Sequence, residues 1–168
     1  MGDLARRERN ESHGDASGYA MQAAFVVVLA GAAFDRRAGP APAGGLQLAG
    51  LLLFAAALWL RHQTQRAMGS YFKVAVVLTD DQPLIRSGPF RWIRHPSYAA
   101  IGSIGIATAM LVESPLALAA TVGVWLPAAL IRIWLEEKTL ERRFGADWTT
   151  YVAKTGRLLP RFGAESAT

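Results

Sequence analysis

The sequence contains no cysteine, which excludes a disulfide scaffold, a thiolate metal site and a cysteine nucleophile. Charge is also scarce: Asp, Glu, Lys and Arg make up 18% of the 168 residues, where soluble globular chains carry about 25%. That argues against a cytosolic enzyme of ordinary composition. With 52% hydrophobic residues and a mean hydropathy of +0.20, intrinsic disorder is excluded for most of the chain as well. Acidic charge is the scarcer sign, 13 residues against 18 basic ones, for a net charge of +5. On so apolar a chain this excess points to a membrane with anionic headgroups rather than to nucleic acid. One compact domain is the upper limit for this length.

The hydrophobic residues fall in four blocks, Tyr19 to Phe34, Leu46 to Leu60, Tyr98 to Val112 and Leu116 to Leu135. Each is about 15 to 20 residues, at or just below the ~17 to 25 that span a bilayer core as a helix. Any one block alone could be the buried helix of a soluble protein. Four of them, rich in Leu, Ala, Val and Gly and without a charged face, leave almost no polar surface for a soluble fold. The expected fold class is therefore all-α, an integral membrane helical bundle of about four transmembrane helices. Asp3, Glu8, Glu11 and Asp15 precede the first block, which argues against a cleaved signal peptide. The expected organisation is a disordered tail over 1–17, two N-terminal spans over 18–60, and a core over 61–168 holding two further spans and C-terminal helices.

Lys and Arg in the connections set the orientation. Tail, second loop and C-terminal segment lie on one side of four spans and carry sixteen of them, against two, Arg36 and Arg37, on the other side. The short loop Glu113-Ser114-Pro115 has none. Both termini are expected in the cytoplasm, in what would be a prokaryotic cytoplasmic membrane, and a polar cofactor would enter from that side.

The loop 61–97 is longer than adjacent helices require, and long loops are usually functional or disordered. Its composition is not that of disorder. Tyr71 to Leu78 is apolar and β-prone, Asp80-Asp81-Gln82-Pro83 reads as a turn, and Ser87-Gly88-Pro89 reads as a second. Basic and aromatic residues interleave from Phe90 to Tyr98, which on composition alone is an interfacial anchor with snorkelling arginines. Arg132 sits inside the fourth apolar block, four residues before Glu136, so a helix places the two on one face. This pair is either a salt bridge ending the span or a functional site, since an ionisable residue at membrane depth is a site candidate. Pro127 is expected to bend the same helix and to leave a carbonyl without its partner. A charged helix follows to Gly145, and a short helix from Asp147 to Lys154 carries Trp148 and Tyr151 on one face.

The run Gly88-Pro89-Phe90-Arg91-Trp92-Ile93-Arg94-His95-Pro96-Ser97-Tyr98, then Arg132-x-x-x-Glu136-Glu137, Phe144-Gly145-x-x-Trp148-x-x-Tyr151 and Leu159-Pro160-Arg161, forms a pattern. In order and spacing it resembles the isoprenylcysteine carboxyl methyltransferase family, integral membrane enzymes related to phospholipid methyltransferases. The resemblance covers roughly residues 70–162, and the first two spans match only in kind. It implies S-adenosylmethionine as methyl donor, in a pocket open to the cytosol, and an acceptor entering sideways from the bilayer. Carried over by position, the donor would contact Gln82, Pro83, Leu84, Ile85, Phe90, His95, Pro96, Ser97 and Tyr98. Arg132 and Glu136 match the catalytic, acceptor-binding pair. Phe90 stands where relatives usually have Tyr, and Ala100 where Gly is common.

The residues are consistent with that chemistry. Aromatic rings such as Phe90 and Tyr98 suit a purine and a cationic sulfur. No glycine-rich fingerprint follows a strand, so a soluble-type methyltransferase fold is not expected. Methyl transfer needs alignment and exclusion of water, and no metal. A carboxylate acceptor is already ionised, and Arg132 would clamp it while Glu136 orients the guanidinium. A phenolic lipid or a phospholipid amine would instead need a base, Glu136 or His95. The other readings are a membrane reductase and a non-catalytic scaffold in which the basic loop binds membrane lipids. The expected partners are a lipophilic small molecule or a prenylated acceptor and the lipids themselves, not nucleic acid; Gly31 and Gly102-x-x-Gly105 would permit close helix contact.

Overall fold

The computed structural model describes residues 2–35, 44–71 and 83–161, with side chains from Tyr19 onward. Helix α1 covers Gly2–Asp35, α2 Gly45–Met68 and α3 Pro96–Leu111. Helix α4, Pro115–Ala120, passes through a π-turn, Thr121–Trp125, into α5, Leu126–Phe144, and α6 is Ala146–Lys154. Among the described residues there is no strand, only an isolated parallel bridge between Ile93 and Gly156. Gly45–Met68 and Pro115–Phe144 are long and apolar enough to cross a bilayer, and Tyr19–Asp35 and Pro96–Leu111 are shorter apolar helices. The four helices coincide with the four apolar blocks. The helix of α1 also includes residues 2–17, read from composition as a tail; its Leu, Ala, Arg and Glu are adequate helix formers and extend a turn already nucleated by the apolar span. The β-prone stretch from Phe72 onward lies outside the described residues.

The helix ends follow from local chemistry. Gln47 accepts the Gly44 backbone N–H at 2.7 Å at the start of α2, and its amide reaches across to Glu113. Ser114 caps α4 by accepting from the Ala117 N–H at 2.9 Å, and donates its hydroxyl to Asp35 at 2.6 Å. The charge-poor turn between α3 and α4 is thus pinned by the end of α1 and the start of α2. Ahead of Pro127 the chain widens: the Leu126 N–H bonds to Thr121 O, a five-residue step that shifts the register before the proline ring.

The interior is built of small residues. Ala24, Ala32, Ala100, Ala107, Ala109, Ala117, Ala120 and Ala129 are buried, whereas Leu51, Leu52, Leu58, Trp59, Val122 and Ile131 point outward. A soluble protein places these the other way; in lipid, large apolar side chains face the solvent and small ones let backbones approach. Helix α2 packs on α3, while α1 packs on α4, the π-turn and α5. The three glycines open to close contact make it within the chain: a Cβ on Gly31 would sit 3.2 Å from Ala117 N, one on Gly105 2.9 Å from the Thr121 side chain, and one on Gly102 2.7 Å from the Trp125 ring.

A matched pair of substitutions checks this packing. Gly102→Ala should lower stability in detergent by about 1–3 kcal/mol, the usual cost of overpacking. Gly123→Ala, where a Cβ meets nothing within 4 Å, should leave it unchanged or raise it slightly. Thermal unfolding of the two variants beside the parent reads the difference.

Candidate active site

One end of the bundle holds three pieces that meet. The first is the turn before α3. Ser87, Gly88 and Pro89 lead into a 3₁₀ turn over Gly88–Arg91, with Gly88 at φ 57 and a Cβ there 3.1 Å from Ala67 of α2, so only glycine suits the position. Phe90 and Trp92 donate their backbone N–H groups to Ser87 and Pro89, both at 3.2 Å. The second is the strap after α6. Gly156 donates to Trp92 O at 3.0 Å, Arg94 N–H donates to Gly156 O at 2.8 Å, and His95 N–H to Arg157 O at 3.1 Å. A Cβ on Gly156 would lie 1.8 Å from Leu159 O, so the strap can fold back at this point only on glycine. The third piece is the end of α5, which carries Arg132, Glu136 and Glu137.

These pieces share a polar cluster. Arg132 Nε donates to the Tyr98 hydroxyl at 2.9 Å and lies 3.5 Å from Glu136 Oε1, and the Tyr98 hydroxyl donates to the same carboxylate. Arg132 is 3% exposed, so this pairing is what makes its charge tolerable. His95 stands between the two acids, Nδ1 3.5 Å from Glu136 Oε2 and Nε2 3.3 Å from Glu137 Oε1. Burial alone would lower the His95 pKa, but hydrogen bonds and charge from Glu136 and Glu137 outweigh it and raise the value above the ordinary imidazole range. Glu137 also receives Arg94 Nε at 3.0 Å and Arg157 Nη2 at 2.5 Å.

Beside the cluster lies an open cleft of about 410 Å³. Pro83, Leu84, Ile85 and Phe90 form one wall, Leu140, Phe144, Trp148 and Tyr151 the other, with Met68 and Arg94 at its edges. The Tyr151 hydroxyl donates to Phe90 O at 2.8 Å and joins the two walls. Burial pushes the Tyr151 phenol up to about 12, against the pull of Arg94 and Arg86, so it is a neutral donor at all working pH. The Trp148 and Tyr151 rings tilt together at 5.7 Å.

Of the residues singled out in the sequence, Pro83, Leu84, Ile85 and Phe90 line the cleft, and His95, Tyr98, Arg132 and Glu136 form the cluster. Pro96 is buried at the start of α3, and Ser97 accepts a long bond from Arg61 at 3.5 Å. Gln82 lies outside the described residues. The cluster contains members that sequence reasoning did not assign: Arg94, Glu137 and Arg157, with Trp148, Tyr151 and Phe144 on the cleft wall. The signal for Glu137 was its place beside Glu136; Arg157 and Met68 had none.

The profile of the isoprenylcysteine carboxyl methyltransferase (ICMT) family matches residues 48–142, which include the turn, α3 and both acids. The chain belongs to this family. Within it, the protein-S-isoprenylcysteine O-methyltransferase of Saccharomyces cerevisiae is 35% identical over 80 residues, 48% of this chain and 34% of the yeast protein. The solved structure of a eukaryotic intramembrane Ras methyltransferase ICMT is similar at a TM-score of 0.69 and 26% identity, over 83% of this chain and 51% of that one. This ICMT-family chain therefore spans about half the length of the solved relative or less.

The buried imidazole makes the stability of this family member depend on pH. A raised folded-state value means that the His95 contribution is complete below the free imidazole value of about 6.5 and is lost as pH rises through the folded value. The facing groups are Glu136 and Glu137 from α5, Tyr98 from α3, and the guanidiniums of Arg94, Arg132 and Arg157. Thermal midpoints in detergent should fall as pH rises above the free imidazole value of about 6.5, and His95→Gln should flatten that fall. An identical slope in the variant would contradict the assignment.

Proposed function

We propose that this protein is an integral membrane methyltransferase that uses S-adenosylmethionine and methylates the carboxylate of a lipophilic, isoprenylcysteine-like acceptor. The observation that carries the reading is the junction of the two sites: Arg132 and Tyr98 are buried among membrane helices and bonded to the half-buried Glu136, and the next carboxylate along α5, Glu137, holds Arg94, which lines the aromatic cleft.

The cleft fits the donor. Phe90, Phe144, Trp148 and Tyr151 offer faces for a purine. When bound, the donor supplies a methyl group already activated by a sulfonium, so the protein must align and exclude water. Arg132 is the residue to receive an acceptor carboxylate. Its guanidinium is oriented by Tyr98 and Glu136, and a carboxylate is ionised at neutral pH without a base. His95 favours this acceptor over a phenol or an amine: its hydrogen bonds to two carboxylates raise its pKa above the ordinary imidazole range and occupy both ring nitrogens, which makes it a poor proton acceptor for the reaction. The charge count places the cleft and both termini on the cytoplasmic side, with the acceptor arriving from the bilayer between the helices. A prokaryotic cytoplasmic membrane is part of the same proposal.

Calorimetry of detergent-purified protein with S-adenosylhomocysteine tests the donor assignment; no heat at millimolar ligand would sink it. With labelled donor and a prenyl-cysteine acceptor, Arg132→Ala should lower transfer by about two to three orders of magnitude, the range for loss of one key electrostatic group. Affinity for S-adenosylhomocysteine should stay within about threefold, under 1 kcal/mol. The parent rate should be flat above about pH 5 for a carboxylate acceptor, whereas a limb near neutrality would mean a phenol or an amine.

A further inference from the structure

Three basic side chains from two segments, the turn before α3 and the strap, converge on one carboxylate. Arg94 comes from the turn, His95 from the residue before α3, and Arg157 from the strap, and all reach Glu137, whose side chain is 13% exposed. The same Arg94 guanidinium donates to Val152 O at 3.2 Å and to Thr155 O, the open carbonyls at the end of α6. Helix α6 carries Trp148 and Tyr151, so these two rings of the cleft wall hang on this arrangement. Among the described residues the strap is also held by its backbone bonds to Trp92, Arg94 and His95, by the Thr155 hydroxyl on Tyr151 O and by Leu158 against the hydrophobic core.

We infer that Glu137 is a positioning residue that latches the strap and α6 to the membrane helix, and thereby sets the donor cleft, rather than a group that touches the acceptor. The inference rests on the donor reading given above. Without its negative charge, Arg94 and Arg157 lose the carboxylate they share while His95 keeps only Glu136, and the strap is the segment free to leave. The acceptor-side trio of Arg132, Tyr98 and Glu136 keeps its own hydrogen bonds. Loss of Glu137 should then weaken donor binding far more than it slows transfer once donor is saturating.

Glu137→Gln keeps size and shape and removes the charge. In the full-length protein in detergent, the dissociation constant of S-adenosylhomocysteine and the KM for S-adenosylmethionine should each rise about tenfold, equivalent to one lost charge-assisted bond. The kcat should stay within about threefold. Trypsin should cut the Arg157–Leu158 bond several times faster, because the Arg157 carbonyl is no longer held by His95, and Glu137→Asp should restore part of the protection. Unchanged donor affinity, or a kcat that falls as far as kcat/KM, would overturn the positioning role. If Glu137→Gln does not fold, Arg157→Gln serves, since Arg157 is half exposed; about a threefold rise in the dissociation constant with faster cleavage of the strap bond after Lys154 is expected, and no change overturns the inference. Should the parent protein not bind S-adenosylhomocysteine, the donor reading fails, and the trypsin comparison still decides whether Glu137 holds the strap.

Discussion

Two consecutive glutamates at the end of a membrane helix set the terms for everything around them. A charge removed from water is costly unless it is paired and its remaining bonding capacity is used, and Arg132 at 3% exposed is far from water. Glu136 answers Arg132 on the bilayer side through the Tyr98 hydroxyl, and Glu137 answers Arg94 and Arg157 on the other. His95 joins the two acids. Because consecutive helical residues point about 100° apart, one acid can serve the membrane interior while its neighbour serves the polar surface. The division between an acceptor side and a donor side follows from that geometry.

The cluster forms only because the helices come close enough. Glycine and alanine on the facing surfaces of α1, α3, α4 and the π-turn let these elements approach: Gly31 meets the backbone of Leu116 and Ala117, and Gly102 and Gly105 receive the Trp125 and Thr121 side chains. The π-turn has a second consequence. It shifts the register of α5 relative to α4 ahead of Pro127, so the face that carries Ala129, Arg132 and Ile133 turns inward. All three are buried, whereas Ile131 and Trp134 between and after them face outward.

Much of this was legible in the sequence, and the parts that were not share a cause. The four spans, the Gly145 helix end and the Trp148 and Tyr151 face of α6 are local features, written in runs of apolar residues and in turn chemistry. The Arg132 and Glu136 pair is four residues apart and equally local. By contrast, Arg94 bonded to Glu137, and Arg157 folded back onto both, are contacts across 43 and 20 residues that no periodicity announces. The interfacial-anchor reading of Phe90 to Tyr98 suits Trp92, which is exposed, but not Ile93, His95 and Tyr98, which the strap and α5 cover. Family resemblance named His95, Tyr98, Arg132 and Glu136, which the fold brings together, because motif order records which segments meet even where spacing does not show how. The π-turn was missed for another reason: a proline in a helix can be absorbed by a kink, a lost bond or a widened turn, and the sequence alone does not choose among them.

A single continuous network from Arg132 to Arg157 is the centre of this account, and a double-mutant cycle reaches it directly. Tyr98 and Glu137 do not bond to each other; they connect through Glu136 and His95. Tyr98→Phe, Glu137→Gln and the double variant, each compared by affinity for S-adenosylhomocysteine, should show an interaction energy above the roughly 0.3–0.5 kcal/mol within which independent sites add. Additivity within that margin would mean that the acceptor-side trio and the strap latch are separate structures that merely adjoin, and would contradict the account.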